Sequence, residues 1–164
     1  KTGFSISKIH NSFSLILLIC KHFIMSLAVA GIMCNLIKYI FGVSRPKYFF
    51  LEGYDRFNLF NLEHKVSSFP SGHTQAAFTL AILLILYSNR HTIIILVIAT
   101  LMALSRIFMS MHFPSDLIFG AYLGSIVPIL LYDIYYKEKI NHILNLDNIT
   151  MSDLRKILYY RIFI

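Results

Sequence analysis

The feature of this sequence that most restricts its fold is the gathering of its apolar residues into four long runs. The first reads from about Phe23 to Phe41, with an apolar extension back to Phe13 that Lys21 and His22 interrupt. The others read Ser71 to Ser88, Thr92 to about Met109, and Ser115 to Tyr136. Helices of roughly 18 to 22 residues, rising 1.5 Å per residue, cover about 27 to 33 Å, the thickness of a bilayer's hydrocarbon core. Charged residues make up 14% of the chain and hydrophobic ones 57%, whereas a soluble domain carries about a quarter charged residues. The expected fold class is therefore all-α: a polytopic transmembrane helical bundle with four visible spans. The expected division is a membrane domain over 1–136 and a tail over 137–164.

The formal charge of +7 does not indicate nucleic acid, because the basic residues form no continuous stripe. They lie between and beyond the apolar runs, where membrane proteins keep them. Connectivity assigns sides. If the first span ends on face A, the segment from Gly42 to Pro70 and the turn from Met111 to Ser115 lie there too. The Asn89–His91 turn and the tail after Tyr136 lie on face B. Lys and Arg number nine on face B, counting Lys21 at its boundary, and six on face A, which puts face B in the cytoplasm. Cys20 and Cys34 fall fourteen residues apart on one expected helix, about 21 Å, and read as buried thiols beyond disulfide reach. Thr150 and Asp153 form a capping box ahead of Leu154, Ile157 and Leu158, which implies a short amphipathic helix on the cytoplasmic surface. The Asn148 sequon lies on that same face, where it would go unused. The chain begins at Lys1 with no signal-peptide pattern, which suggests truncation or processing.

Face A collects polar residues at the ends of apolar helices. Lys38 and Arg45 are seven apart, within about 20° of one face if the helix continues, and Pro46 should end that helix at or before Arg45. Ser68-Phe69-Pro70-Ser71-Gly72-His73 precedes an apolar run and carries helix-start signals. A helix N-terminus presents unpaired N–H groups and a positive dipole end, suited to phosphate, and Gly72 would let an anion approach the backbone. Ser105-Arg106 closes the third span. Asp116, one turn after His112, is placed to accept a hydrogen bond from that ring and so fix its tautomer. Each element has a bland reading, as snorkelling cations, an ordinary cap or a polar pair at a helix start. It is their convergence on one face that points to chemistry. Gly120 and Gly124 form a small-xxx-small pair that lets another helix approach.

The pattern Lys38-x6-Arg45-Pro46, Pro70-Ser71-Gly72-His73 and Ser105-Arg106-x5-His112-x3-Asp116 resembles the three-part signature of the type 2 phosphatidic acid phosphatase superfamily, with all eleven residues present in order. The superfamily includes lipid phosphatases, glucose-6-phosphatase and vanadium haloperoxidases. Its membrane members typically have six helices, so the four spans here resemble helices three to six.

The resemblance implies that His112 attacks phosphorus to form phosphohistidine, oriented by Asp116, and that His73 is the general acid toward the leaving alcohol. Lys38, Arg45, Arg106, Ser71 and the Gly72 N–H would hold the phosphoryl oxygens. It implies no metal and no cofactor, a lipid phosphate as substrate and the bilayer as surroundings; nothing specifies an oligomeric state. A zinc site built from His73, His112 and Asp116 would lack a fourth ligand and face repelling cations. His22, Glu52, Asp55, Glu63 and His64 lie outside the signature and read as loop or interfacial residues. The aromatic-rich loop from Lys47 to Phe69 reads as an interfacial belt, with a substrate-shaping lid as the sharper alternative.

The expected substrate is a bacterial envelope lipid phosphomonoester (phosphatidate, phosphatidylglycerol phosphate or lipid A type) met on the outer, periplasmic face of the inner membrane. Rivals are a polyprenyl diphosphate phosphatase, a lipid phosphotransferase, and a non-enzymatic anion-binding transporter or scaffold. Anion binding alone has no need of His73, His112 and Asp116 together. Four spans oppose a soluble haloperoxidase.

Overall fold

A computed structural model describes residues 6–61, 63–88 and 91–146. Its described helices are α1 (Ile6–Phe41), α2 (Pro46–Leu51), α3 (Gly72–Ser88), α4 (Thr92–Phe108), α5 (Pro114–Leu131) and α6 (Lys137–Leu146). A 3-10 turn occupies His64–Val66, and a π-helical turn, Tyr132–Tyr136, joins α5 to α6. Among the described residues the only extended pairing is an isolated bridge between Val43 and Phe57. The chain divides into two compact units, Met25–Leu130 and the two flanking segments Lys1–Ile24 with Leu131–Ile164.

The all-helical expectation holds, with the spans more finely resolved. Two helical stretches, His10–Phe41 and Pro114–Asn145, are long and apolar enough to cross a membrane, whereas α3 and α4 are apolar but shorter, at 17 residues each. Lys21 and His22 do not break α1, which is continuous from Ile6, because a charged side chain costs an α-helix nothing in backbone hydrogen bonding. The Thr150–Asp153 capping box, the Asn148 sequon, and Asn89 and Arg90 lie outside the described residues.

Within the unit Met25–Leu130, α3 and α4 pack against each other through small residues, with Ala81 and Ala99 both buried. The sidedness of α3 is inverted relative to a soluble bundle. Thr74, Gln75 and Thr79 are buried while Leu80 and Leu84 are exposed. Water would favour the reverse arrangement; a hydrocarbon solvent favours this one, since polar groups then find partners only inside. Gln75 Nε2 accordingly donates to Thr79 Oγ1 at 3.0 Å.

The glycine pair in α5 seats that helix against the start of α3. A Cβ at Gly120 would lie 2.7 Å from the Ser71 carbonyl oxygen, and one at Gly124 2.3 Å from that of Gln75. Gly124→Ala is therefore expected to cost about 1–3 kcal/mol by overpacking and to lower the melting temperature in detergent. Gly31→Ala, with nothing within 4 Å of its Cβ, is the control. Equal melting of the two variants would contradict this close approach.

In the other unit, His22 is fully buried rather than interfacial. Its ring lies 4.5 Å from that of Tyr136 and 6.0 Å from that of Tyr132, centroid to centroid. Cys20 is exposed, contrary to the expectation of a buried thiol, while Cys34, in the larger unit, is buried. Helical periodicity cannot show which stripe of an apolar helix finds a partner.

Candidate active site

The first cations are delivered by a helix end that falls where the first apolar run stops, but Gly42 rather than Pro46 terminates it. α1 stops at Phe41, four residues short of Arg45, because Gly42 adopts φ +48° and its N–H caps the Lys38 carbonyl at 2.9 Å. A Cβ at Gly42 would stand 1.7 Å from the Asn58 carbonyl oxygen, so the sharp exit requires glycine. Lys38 therefore sits in the last turn of α1, and Arg45 lies beyond it in extended conformation as the residue before α2, with Pro46 opening that short helix. The two share a site because the chain doubles back, not because they share a helix face.

The segment Ser67–Ser71 is the hub of the site. Lys38 Nζ donates to the Ser67 carbonyl at 2.8 Å, and Arg45 Nη2 to the Ser67 hydroxyl at 3.3 Å. Arg45 is 9% exposed, and burial pulls its pKa below the ordinary guanidinium value. Its buried Nε has no hydrogen-bond partner among the described residues. The Phe69–Pro70 peptide is cis. Ser71 then hands the chain to α3: its N–H bonds the Asp116 carbonyl at 3.0 Å and its hydroxyl accepts from Thr74 Oγ1 at 2.9 Å. A Cβ on Gly72 would meet Lys38 Cε and Cys34 Sγ only at 3.9 Å, so the missing side chain leaves room between the first turn of α3 and the Lys38 stem.

His112 is 4% exposed, and its Nδ1 lies 2.8 Å from the Ser68 carbonyl oxygen. A carbonyl only accepts, so Nδ1 must carry the hydrogen, and in the neutral ring Nε2 is then the nitrogen with the lone pair. Asp116 Oδ2 stands 3.7 Å from the same Nδ1, too far for a hydrogen bond. The sequence reading expected the carboxylate to orient the ring; in the structure a main-chain carbonyl does. Asp116 accepts instead from the Phe113 N–H at 2.9 Å and from the Ser68 hydroxyl. Its carboxylate thereby ties the His112 turn to the Ser68 segment and completes half of a capping box on α5. Ser68, buried and bonded to both residues, is the functional position the sequence reading passed over. Its one signal was its place two residues ahead of Pro70.

Arg106, at the end of α4, is half-buried, with Nε bonded to the Ser105 hydroxyl at 3.2 Å. His73 is exposed in the first turn of α3 and lies within electrostatic reach of Arg106, His112, Arg45 and Lys38. His64, read from sequence as a loop residue, is also exposed but feels the Arg45, Lys38 and His112 charges. The Arg45 cation, helped by slight burial, pushes the His64 pKa below its ordinary value, so that ring is neutral at pH 7. Glu52 pairs with Lys65 at 3.1 Å, and the Asp55 carbonyl accepts from Ser44 Oγ; both act within the loop. Among the described residues no three His, Cys, Asp or Glu side chains are grouped to hold a metal ion.

Cationic, hydroxyl and imidazole side chains thus gather around the Ser67–Ser71 segment, with His112 bonded through Nδ1 to its backbone. The chain belongs to the PAP2 superfamily, whose family model matches residues 20–140. Among curated proteins it is similar to a lipid A 1-phosphatase of Rhizobium etli, 32% identical over 108 residues, which cover 65% of this chain and 46% of that protein. A lipid A 1-phosphatase of Rhizobium johnstonii is 33% identical over 98 residues, covering 58% and 39%. The bacitracin transport permease protein BcrC of Bacillus licheniformis is 38% identical over 64 residues, covering 38% and 32%. The chain thus spans less than half the length of these relatives. No solved structure matches it significantly.

Proposed function

We propose that this protein is an integral membrane phosphatase that hydrolyses a lipid phosphomonoester through phosphohistidine. The observation that carries the reading is the Nδ1 proton of His112 committed to the Ser68 carbonyl, which leaves Nε2 as the attacking atom. Lys38, Arg45 and Arg106, with the Ser71 hydroxyl and the Gly72 N–H at the start of α3, hold the three non-bridging oxygens. They neutralise the charge that spreads over those oxygens in the transition state. His73 protonates the departing alcohol and then deprotonates the water that cleaves the phosphoenzyme. Asp116 holds the nucleophile's turn. The reaction calls on no metal: positioning and fixed positive charge supply the stabilisation.

The lipid A 1-phosphatases among the relatives favour an envelope lipid as substrate. Lipid A, phosphatidate, phosphatidylglycerol phosphate and undecaprenyl diphosphate, offered in detergent, form the panel to assay for phosphate release. The name of the Bacillus relative raises a transport reading, in which anions would bind without turnover; release of phosphate from any member of the panel excludes it. Activity is expected to survive excess chelator and to be inhibited by vanadate, which takes up the five-coordinate geometry of the transferring group. Loss on chelation with recovery on adding zinc would overturn the metal-free mechanism.

The proposed placement is the bacterial inner membrane, with α3 and α4 also spanning, the site on the periplasmic side, and residues 137–164 as a cytoplasmic tail. In a background lacking Cys20 and Cys34, single cysteines at Asp55 and Ser115 should react with an impermeant reagent from outside. Cysteines at Asn89 and Ser152 should react only after the membrane is opened. Labelling of Asp55 and Asn89 from one side would defeat the four-span topology while leaving the chemistry untouched.

A further inference from the structure

One cavity lies apart from the cations proposed to hold phosphate. It is an open groove of about 720 Å³ in which Lys47, Phe50 and Leu51 of α2 face Phe108 and Met109 at the end of α4, with His112 in its floor. None of Lys38, Arg45, Ser71, Gly72, His73 or Arg106 lines it. His112 borders it, but in the proposed in-line displacement the alcohol departs opposite the attacking nitrogen, and His73, proposed to protonate it, is not in the groove.

Two features define what would fill it. Its walls are apolar and open: Phe50 is 71% exposed, Leu51 76% and Phe108 87%, a contiguous surface that calls for a non-aqueous partner. Its rim carries one cation without an acid. No carboxylate lies within ion-pair distance of Lys47 among the described residues, and its ammonium rests 5.9 Å from the ring of its own neighbour Tyr48. An apolar trough ending in a single unpaired ammonium complements a chain with an anionic head. A zwitterionic head would set its own ammonium against Lys47.

We propose that this groove binds an anionic phospholipid of the surrounding bilayer, its phosphate at Lys47 and an acyl chain along Phe50 and Phe108. The position has a consequence for the nucleophile. The Lys47 N–H donates to the Ser110 carbonyl at 3.1 Å, and Ser110 is held at φ +54°, two residues before His112. A lipid seated on Lys47 braces the turn that carries the nucleophile.

The test needs no turnover, so its outcome is separate from that of the phosphatase reading. The chain contains no tryptophan, and Phe108→Trp places a single fluorophore in the groove. The full chain is reconstituted in vesicles of brominated phosphatidylglycerol or brominated phosphatidylcholine mixed with unbrominated lipid. Quenching is expected to show a preference of about five-fold for the anionic lipid, the factor one interfacial lysine supplies. In the Lys47→Gln, Phe108→Trp double variant that preference should fall to about one. Leu101→Trp, on the exposed mid-section of α4, should show none. Equal quenching by both lipids in Phe108→Trp, or an unchanged preference without Lys47, overturns the proposal. So does quenching that fades as the protein-to-lipid ratio rises, since a second copy would then be the occupant. If Phe108→Trp fails to insert, Leu51→Trp reads the facing wall by the same criteria.

Discussion

Replacing His112 with alanine should lower phosphate release from every phosphomonoester by at least about 10⁴-fold, the scale on which loss of a covalent nucleophile is felt. The ring is 4% exposed with Nδ1 fixed on the Ser68 carbonyl, so no neighbouring group can take up the attack. Fixation also removes the entropic cost of choosing a tautomer and rotamer at each turnover. His112→Ala should retain phosphate affinity, because Lys38, Arg45 and the α3 N-terminus are untouched, and should form no acid-labile, base-stable phosphoprotein with a labelled substrate. His112→Asn is the companion variant, since a side-chain N–H can keep the bond to Ser68 while offering no nucleophile. Both variants should be equally dead. Residual activity within about ten-fold of the parent in either would mean that water is activated directly and that no phosphohistidine forms.

His73→Ala should produce a loss that depends on the leaving group. General acid catalysis contributes about 10² to 10⁴-fold, and a lipid alkoxide needs that proton. A nitrophenolate leaves without it. Phosphorylation of His112 by an aryl phosphate should therefore proceed in His73→Ala close to the parental rate, while lipid hydrolysis falls by the full factor. If, as proposed, the same imidazole activates the water of the second step, the phosphoenzyme should accumulate, visible as a burst of phenolate with labelled phosphate retained on the protein. The exposure of His73 in the first turn of α3, within electrostatic reach of Arg106 and His112, suits a group that must meet both an alcohol and water. Equal impairment on both substrates with nothing trapped would reduce His73 to another phosphate-binding group.

The all-helical class was legible because a bilayer demands runs of apolar residues of a fixed length; two of the four runs fall in helices long and apolar enough to cross it, and α3 and α4, at 17 residues each, are shorter. The start of α5 was legible to within a residue, read at Ser115 and found at Pro114. Gly42 was the exception that displaced an inference. Pro46 looked like the helix terminator, yet the chain had already turned at Gly42, where Asn58 approaches so closely that no side chain fits. A residue in contact sixteen positions away leaves no mark on local periodicity.

The sequence by itself determined which residues could perform phosphoryl chemistry and that they sit at helix ends, since type and spacing are properties of the chain. It also determined that Gly120 and Gly124 would admit a close neighbour, though not that the neighbour is the first turn of α3. Only the tertiary structure decided how His112 is oriented. A sequence displays side chains, so Asp116 was the visible candidate; the group that bonds Nδ1 is the main-chain oxygen of Ser68, which every residue possesses and no sequence pattern can single out. The same reason holds for Arg45, whose unpaired Nε exists only because the surrounding fold excludes water from it. Burial and backbone pairing are set by contacts far apart in the chain, and those contacts become readable only once the chain has closed on itself.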